Sequence, residues 1–341
     1  MYSRLHRWTR AATTTLASLI VASAAIAQGT DNVKFLNDWR WEGPSAPLLM
    51  ANQTTFPKAK LNVALTPGTG SAATIAKVAS GEFDMGLGDF SALVEFAAKN
   101  PAVAPPVAVY VLYERNPATL FIRTASGAKT PNQLNGKKLG APPFDGGRKL
   151  WPAYVTMADA SAGAVWQDLT AAEREAAFMA GKVDAITGFY FTTVLNLEAK
   201  GMSGRDYTSH RFYEGGLRLY GNVVMVNAAY LKANPKTVER FVRGFHSAVK
   251  STLRDTEAAV RYVKEKEPTN DERTEWRRAR LAIDQFIVTP TVEEQGLGTV
   301  DMKRVDEAIK LLVTTMKLPA IPNAAAIATT EFLPSASERK L

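Results

Sequence analysis

Two glycines, an acid and a base stand together in Asp145-Gly146-Gly147-Arg148, between an apolar run ending at Ala141 and a helix-like segment that carries Trp151. Glycine at such a junction lets the backbone approach a ligand closely, and the first turn of a helix offers N–H groups that no helical carbonyl satisfies. The chemistry on offer is that of holding a molecule. Arg148 supplies a planar donor fork for a carboxylate or sulfonate if Asp145 caps the helix, or it pairs with Asp145 three residues before it. Trp151 either supports a ligand ring or packs the helix onto its sheet.

A second loop, Pro67-Gly-Thr-Gly-Ser71, offers similar groups: Thr69, Gly70 and Ser71 bring backbone N–H donors and two hydroxyls to a helix start suited to an anionic or oxygen-rich group. Ser71 is equally a plain N-cap residue. Trp39 and Trp41, at i and i+2 of an extended segment, point the same way and wall one side of a slot for a flat molecule, unless one of them is core. Glu42 beside them accepts hydrogen bonds from ring amino groups or caps the next helix. The chain holds no cysteine, no phosphate-binding loop ending in Gly-Lys-Ser/Thr and no Gly-x-Ser-x-Gly elbow. His210 and His246 lack metal-ligand spacing. No catalytic residue, cofactor or metal is therefore expected.

The first residues bear on compartment. Arg4, Arg7 and Arg10 precede an apolar run through Ala22, and Ala25-Ile-Ala27 has the small-x-small form of a signal-peptidase site, so residues 1–27 read as a cleaved signal peptide. A periplasmic protein without a lipid-modified cysteine is expected. Loss of that segment removes three arginines and no acid, and the formal charge of +8 becomes +5. The remaining bases are interspersed with acids, as in Asp271-Glu-Arg-Thr-Glu-Trp-Arg-Arg-Ala-Arg280, which is a solvated helix face and not a nucleic-acid track.

The elements that must position these residues alternate. Strands are expected at Val33–Leu36, Leu61–Thr66, Val107–Tyr113, Leu120–Arg123, Lys138–Ala141 and Val223–Val226, with helices between them, and a capping box at Thr170–Glu173. The order argues for α/β layers with mostly parallel sheets. A frame A-x-x-x-[AS]-G-x-φ-D-x-x-x-G (φ apolar) occurs from Ala76 and again from Ala176, pairing Gly81 with Gly181, Asp84 with Asp184 and Gly88 with Gly188. Each copy reads as a helix closed by a C′ glycine, a short strand, and a glycine where a ligand comes close. Two similar lobes follow, with crossings near Glu114–Pro117 and Leu219–Asn222. Ligands of open α/β sheets sit beyond the carboxyl ends of the strands, so facing edges make a cleft. Asp89, Gly188, Phe189, Tyr113, Tyr220 and Asn222 are placed at its rim by this reading. The chain after Asn227 reads as mainly helical.

Taken in order, Asp38-Trp-Arg-Trp-Glu42, Pro67–Ser71, Val78–Asp89, Gly140–Arg148, Ala185–Phe189 and Tyr220–Asn222 resemble the periplasmic substrate-binding proteins of ABC importers, closest to the NMT1/THI5-like group. The resemblance implies a bilobal periplasmic-binding-protein fold, type II-like, with two α/β lobes joined by two crossover segments: residues 28–117 with 221–341, and 118–220. It implies a monomer that captures a small organic ligand and delivers it to an ABC permease of the inner membrane. Two ligand classes stay open. A planar pyrimidine-like heterocycle favours Trp39, Trp41, Glu42 and Asp89, whereas an organic anion such as a sulfonate or carboxylate favours Ser71, Gly146 and Arg148. Some THI5-like proteins are instead enzymes acting on a small heterocycle, through a cysteine-rich segment that this chain lacks.

Overall fold

Ten strands assemble into two five-stranded sheets whose plans are the same. The structure, a computed structural model, describes residues 29–341, and the signal-peptide reading of residues 1–27 lies outside them. The chain runs β1 (Asp31–Leu36), α1 (Ala46–Gln53), α2 (Thr55–Lys58), β2 (Leu61–Thr66), α3 (Ser71–Ala79), β3 (Met85–Asp89), α4 (Phe90–Lys99) and β4 (Val107–Val111). It continues through β5 (Ala118–Arg123), β6 (Lys138–Ala141), α5 (Gly146–Ala158), β7 (Val165–Asp168), α6 (Arg174–Met179), β8 (Ala185–Phe189), α7 (Tyr190–Ala199) and β9 (Tyr207–Arg211). After β10 (Asn222–Val226) come α8 (Ala228–Ala233), α9 (Pro235–Arg254), α10 (Thr256–Lys266), α11 (Glu272–Ala282), α12 (Pro290–Gln295) and α13 (Met302–Met316).

The strand orders are β2-β1-β3-β10-β4 and β7-β6-β8-β5-β9. In each sheet one strand, β10 or β5, runs against its neighbours, and that strand is the one arriving from the other sheet. The rest are parallel, as the alternating order requires. The 100-residue repeat is visible atom by atom: the Asp84 carboxylate accepts from Lys34 N at 2.7 Å, and Asp184 accepts from Lys138 N at 2.9 Å. Each aspartate thus pins the start of the central strand of its sheet, β3 or β8, to the neighbouring β1 or β6. Gly81 and Gly181 take φ of 81° and 69°, the left-handed geometry that ends the preceding helix.

Apolar spacing explains the layers. Val238, Phe241, Val242 and Phe245 of α9 recur at helical intervals and are buried. Phe241 stacks on Phe35 of β1 and Phe56 of α2, with ring centroids 5.4 and 4.6 Å away. The second sheet is covered by α5, where Tyr154 stacks on Phe212 at 4.0 Å. Two edge strands, β7 and β9, escape the sequence reading because they are short, partly exposed and polar. Within the mainly helical remainder, α11 runs directly into a π-helical turn at Ile283–Ile287.

The chain leaves the first sheet between β4 and β5 and returns between β9 and β10. The crossings lie side by side: Asn116 N donates to Leu219 O and Gly221 N to Tyr113 O, both at 2.9 Å. A side chain on Gly221 would lie 2.8 Å from Pro117 Cδ, so glycine is required for this approach. The C-terminal helices touch both lobes and not the first alone. Arg277 of α11 pairs with Glu198 of α7 at 2.7 Å, and Phe286 packs on Tyr190, Phe191 and Tyr213.

Candidate ligand-binding cleft

Strand ends from both sheets meet at a cleft of about 1120 Å³, counted out to its open mouth. The first lobe contributes the segment after β1, the start of α3, the β3–α4 junction and Asn222. The second contributes the loop from Pro142 to Leu150, Arg174 and the β8–α7 junction. This is the crevice beyond the carboxyl ends of the strands where open α/β sheets bind ligands.

Asp89 is the N-cap of α4, accepting from Ser91 N and Ala92 N at 2.9 and 3.2 Å, and its Oδ2 accepts from Asn116 Nδ2 at 2.7 Å. Asp38 lies in the same wall, where its Oδ2 accepts from Asn222 Nδ2 at 2.8 Å and from the Ser71 hydroxyl at 3.2 Å. The Ser71 hydroxyl also accepts from Asp89 N at 3.0 Å and so ties the two acids together. Burial pushes both carboxyls up to about 6, and for Asp38 the charge of Asp89 adds to it.

Opposite, Asp145 caps α5: its Oδ1 accepts from Arg148 N at 2.9 Å and from the Thr187 hydroxyl at 2.6 Å, while Oδ2 lies 3.4 Å from Arg174. Gly147 must be glycine, since a Cβ there would be 2.8 Å from Thr187 Cβ. Three contacts span the cleft. Thr192 Oγ1 donates to Glu42 at 3.0 Å, Lys149 donates to both oxygens of Glu95 at 2.9 and 3.0 Å, and Gly70 faces the Phe144 ring. Glu42 also lies 3.6 Å from Arg278 and makes no cap with its side chain.

Of the residues expected here, Trp39, Glu42, Gly70, Ser71, Asp89, Tyr113, Asp145, Gly146, Phe189 and Asn222 line the cleft. Six lie elsewhere. Trp41 is turned into the core of the first lobe, because the segment after β1 bends instead of continuing extended, and Asn270 holds its carbonyl at 2.7 Å. Thr69 is exposed and does not line the cleft. Arg148 neither clamps a cleft ligand nor pairs with Asp145: it meets Asp168 of β7 at 2.7 Å and the Ala141 carbonyl at 3.0 Å, above the Trp166 ring. Trp151 is core, against Tyr154 and Trp166.

Gly188 is a packing glycine, since a side chain would run into Thr193 Oγ1 and lie 2.8 Å from Arg174. Tyr220 is buried beneath the Arg304 guanidinium, and its hydroxyl accepts from Asp301 N at 3.1 Å. Asp38, Glu95, Lys149 and Arg174 also line the cleft, where no sequence pattern marks Glu95, Lys149 or Arg174. Asp38 alone carried a signal, its place beside Trp39.

Buried side-chain atoms without a protein partner gather at the same place. Of six such atoms among the described residues, Asn37 Oδ1, Trp39 Nε1, Ser91 Oγ and Asn222 Oδ1 belong to residues of this cleft. The two histidines of the described residues, His210 and His246, lie away from it. His246 bonds Tyr110 and the Glu338 carbonyl, and His210 bonds Thr208 and the Lys129 carbonyl. No cluster of three or more His, Cys, Asp or Glu residues among the described residues could hold a metal ion.

The family described as NMT1/THI5 like matches residues 44–259. Among solved structures, the alkanesulfonate-binding protein SsuA of Xanthomonas axonopodis pv. citri, bound to MOPS, is similar at 15% identity and a TM-score of 0.66, covering 89% of this chain and 100% of that one. The periplasmic aliphatic sulphonate binding protein SsuA of Escherichia coli is similar at 14% identity and a TM-score of 0.67, over 86% and 91%. The periplasmic nitrate-binding protein NrtA of Synechocystis PCC 6803 is similar at 11% identity and a TM-score of 0.63, over 89% and 87%. Among curated proteins no sequence matches. At these identities the likeness establishes the periplasmic-binding-protein fold.

Proposed function

The chain belongs to the NMT1/THI5-like family, and on that premise we propose that it is an extracytoplasmic solute-binding protein that captures a small organic ligand between its lobes and delivers it to an ABC permease. The cleft carries this reading: both lobes supply its walls, and three contacts across it give a ligand two surfaces to draw together. Residues 28–117 with 221–341 form one moving body and residues 118–220 the other, pivoting on the paired crossings in the manner of hinge closure. Export by the segment at residues 1–27 accords with the periplasmic location of similar proteins. No helix of the described residues is long and apolar enough to cross a membrane.

A thermal-shift screen of the purified protein tests the reading, with sulfonates, nitrate, aromatic carboxylates, pyrimidines and amines as probes. A solute at 100 times its dissociation constant adds about 2.7 kcal/mol of stability, enough for a clear upward shift. A protein that responds to no class, and carries no solute when purified, would contradict it.

A further inference from the structure

We propose that the solute is an organic cation, a protonated nitrogen on an apolar body, which Asp38 and Asp89 hold against the aromatic side chains of the cleft. The inference rests on the solute-carrier reading and narrows it. Helix N-termini are the usual anion sites of such clefts, because their free N–H groups and dipole favour negative charge. Here α4 and α5 present their N-termini to the cleft with the position already filled, by Asp89 and by Asp145, whereas α7 opens at Phe189 with no side-chain cap. The start of α3 has no side-chain cap, but its Ser71 hydroxyl is bonded to Asp38 and to the backbone of Asp89, so two carboxylates flank that helix end.

Of the three basic side chains that line the cleft, two are held by carboxylates and the third, Arg40, is exposed without one among the described residues. Lys149 is held by Glu95, Arg174 lies 2.6 Å from Glu175 and 3.4 Å from Asp145, and Arg40 stacks over Trp39 at 5.3 Å. Asp38 and Asp89 differ from the other acids of the cleft. Each is more than nine-tenths buried, and each is hydrogen-bonded only to neutral groups, with no Lys, Arg or His within 4 Å among the described residues. No other described residue donates to Asp38 Oδ1. A buried carboxylate without a counter-ion is costly, and a cationic ligand supplies one.

Beside the acids, two buried amides add acceptors that no protein donor satisfies. Asn37 and Asn222 are 1% and 2% exposed, and the Oδ1 of each has no protein partner. Their orientation is fixed, because Asn37 Nδ2 donates to the Trp39 carbonyl at 2.9 Å and Asn222 Nδ2 to Asp38 at 2.8 Å. The free end of both is therefore an acceptor. Trp39, Tyr113, Phe144, Phe189 and Phe191 complete the lining, and aromatic faces attract a desolvated cation. The ionisable groups facing the acid pair are each other, Tyr113 and Glu42, whose nearest base is Arg278.

Calorimetric titration with matched probes tests this: benzylamine, phenethylamine, agmatine and choline against phenylacetate, phenylethanesulfonate and nitrate. Each is run on the wild type and on Asp38→Asn and Asp89→Asn, with a thermal melt of each variant to establish folding. The proposal expects a cation among the binders and none of the anions. Each variant should weaken the amine at least tenfold. Near pH 5.5 binding should release protons, read as a heat that changes with the ionisation enthalpy of the buffer. An anion as the binder, or an amine bound equally well by both folded variants, would overturn the cation assignment and leave the carrier reading standing. Silence from every probe is followed by native mass spectrometry of the protein as purified. A copurified cation supports the proposal, an anionic or neutral solute overturns it, and an empty protein contradicts the carrier reading and the assignment together.

Discussion

Burial of Asp38 and Asp89 has a cost that can be read without any ligand. Both carboxyls rise from 3.8 to about 6, with burial the leading cause. The folded state therefore binds more protons than the unfolded state between about pH 4 and 6, and each group lowers stability as pH rises through that window. A shift of that size corresponds to about 3 kcal/mol per group at neutral pH, as an upper figure. Asp38→Asn should accordingly raise the melting temperature of the ligand-free protein at pH 7.5 and flatten the pH dependence of stability between 4 and 6. A melt unchanged at pH 7.5 would count against the charge being a burden. Arg148→Ala tests the opposite kind of residue. Its partner Asp168 is largely exposed, so the variant should lose about 1 kcal/mol or less and keep its ligand affinity within twofold. Sequence alone gave Arg148 a central part because its true partner sits on β7, a short polar edge strand that periodicity does not reveal. Trp41 misled for a related reason, since the i, i+2 rule holds on a strand and the chain bends after Leu36.

At the scale of elements, the repeated frame was legible because its parts are local. A left-handed glycine closes the helix, an aspartate pins the strand start, and both recur 100 residues on. Asp84→Ala and Asp184→Ala each remove one carboxylate acceptor from a backbone N–H, at Lys34 and Lys138. Each should therefore cost about 1 kcal/mol in chemical denaturation, with equal effects expected in the two lobes. The glycine at the end of the frame was read as a ligand approach, but Gly188 serves the packing of α6 and α7 on β8. Gly188→Ala should destabilise by about 1–3 kcal/mol through the clash with Thr193 and Arg174. Affinity falling far more than stability would restore the ligand role. Contacts such as Glu42 to Thr192 join residues 150 apart in sequence, and no local pattern could have shown them.

For the whole molecule, the paired crossings join two sheets of the same plan beside the cleft, and α11 with the π-helical turn after it reaches the second lobe. Glu42 to Thr192 and Glu95 to Lys149 join the lobes across the cleft, and Arg277 to Glu198 joins them outside it. A ligand stabilises a closed arrangement only by binding it better than an open one. Small-angle scattering of the purified protein, with and without a saturating amine found by titration, measures this directly. The radius of gyration is expected to be smaller with the ligand; identical curves in both conditions would contradict closure of the two lobes on a captured solute.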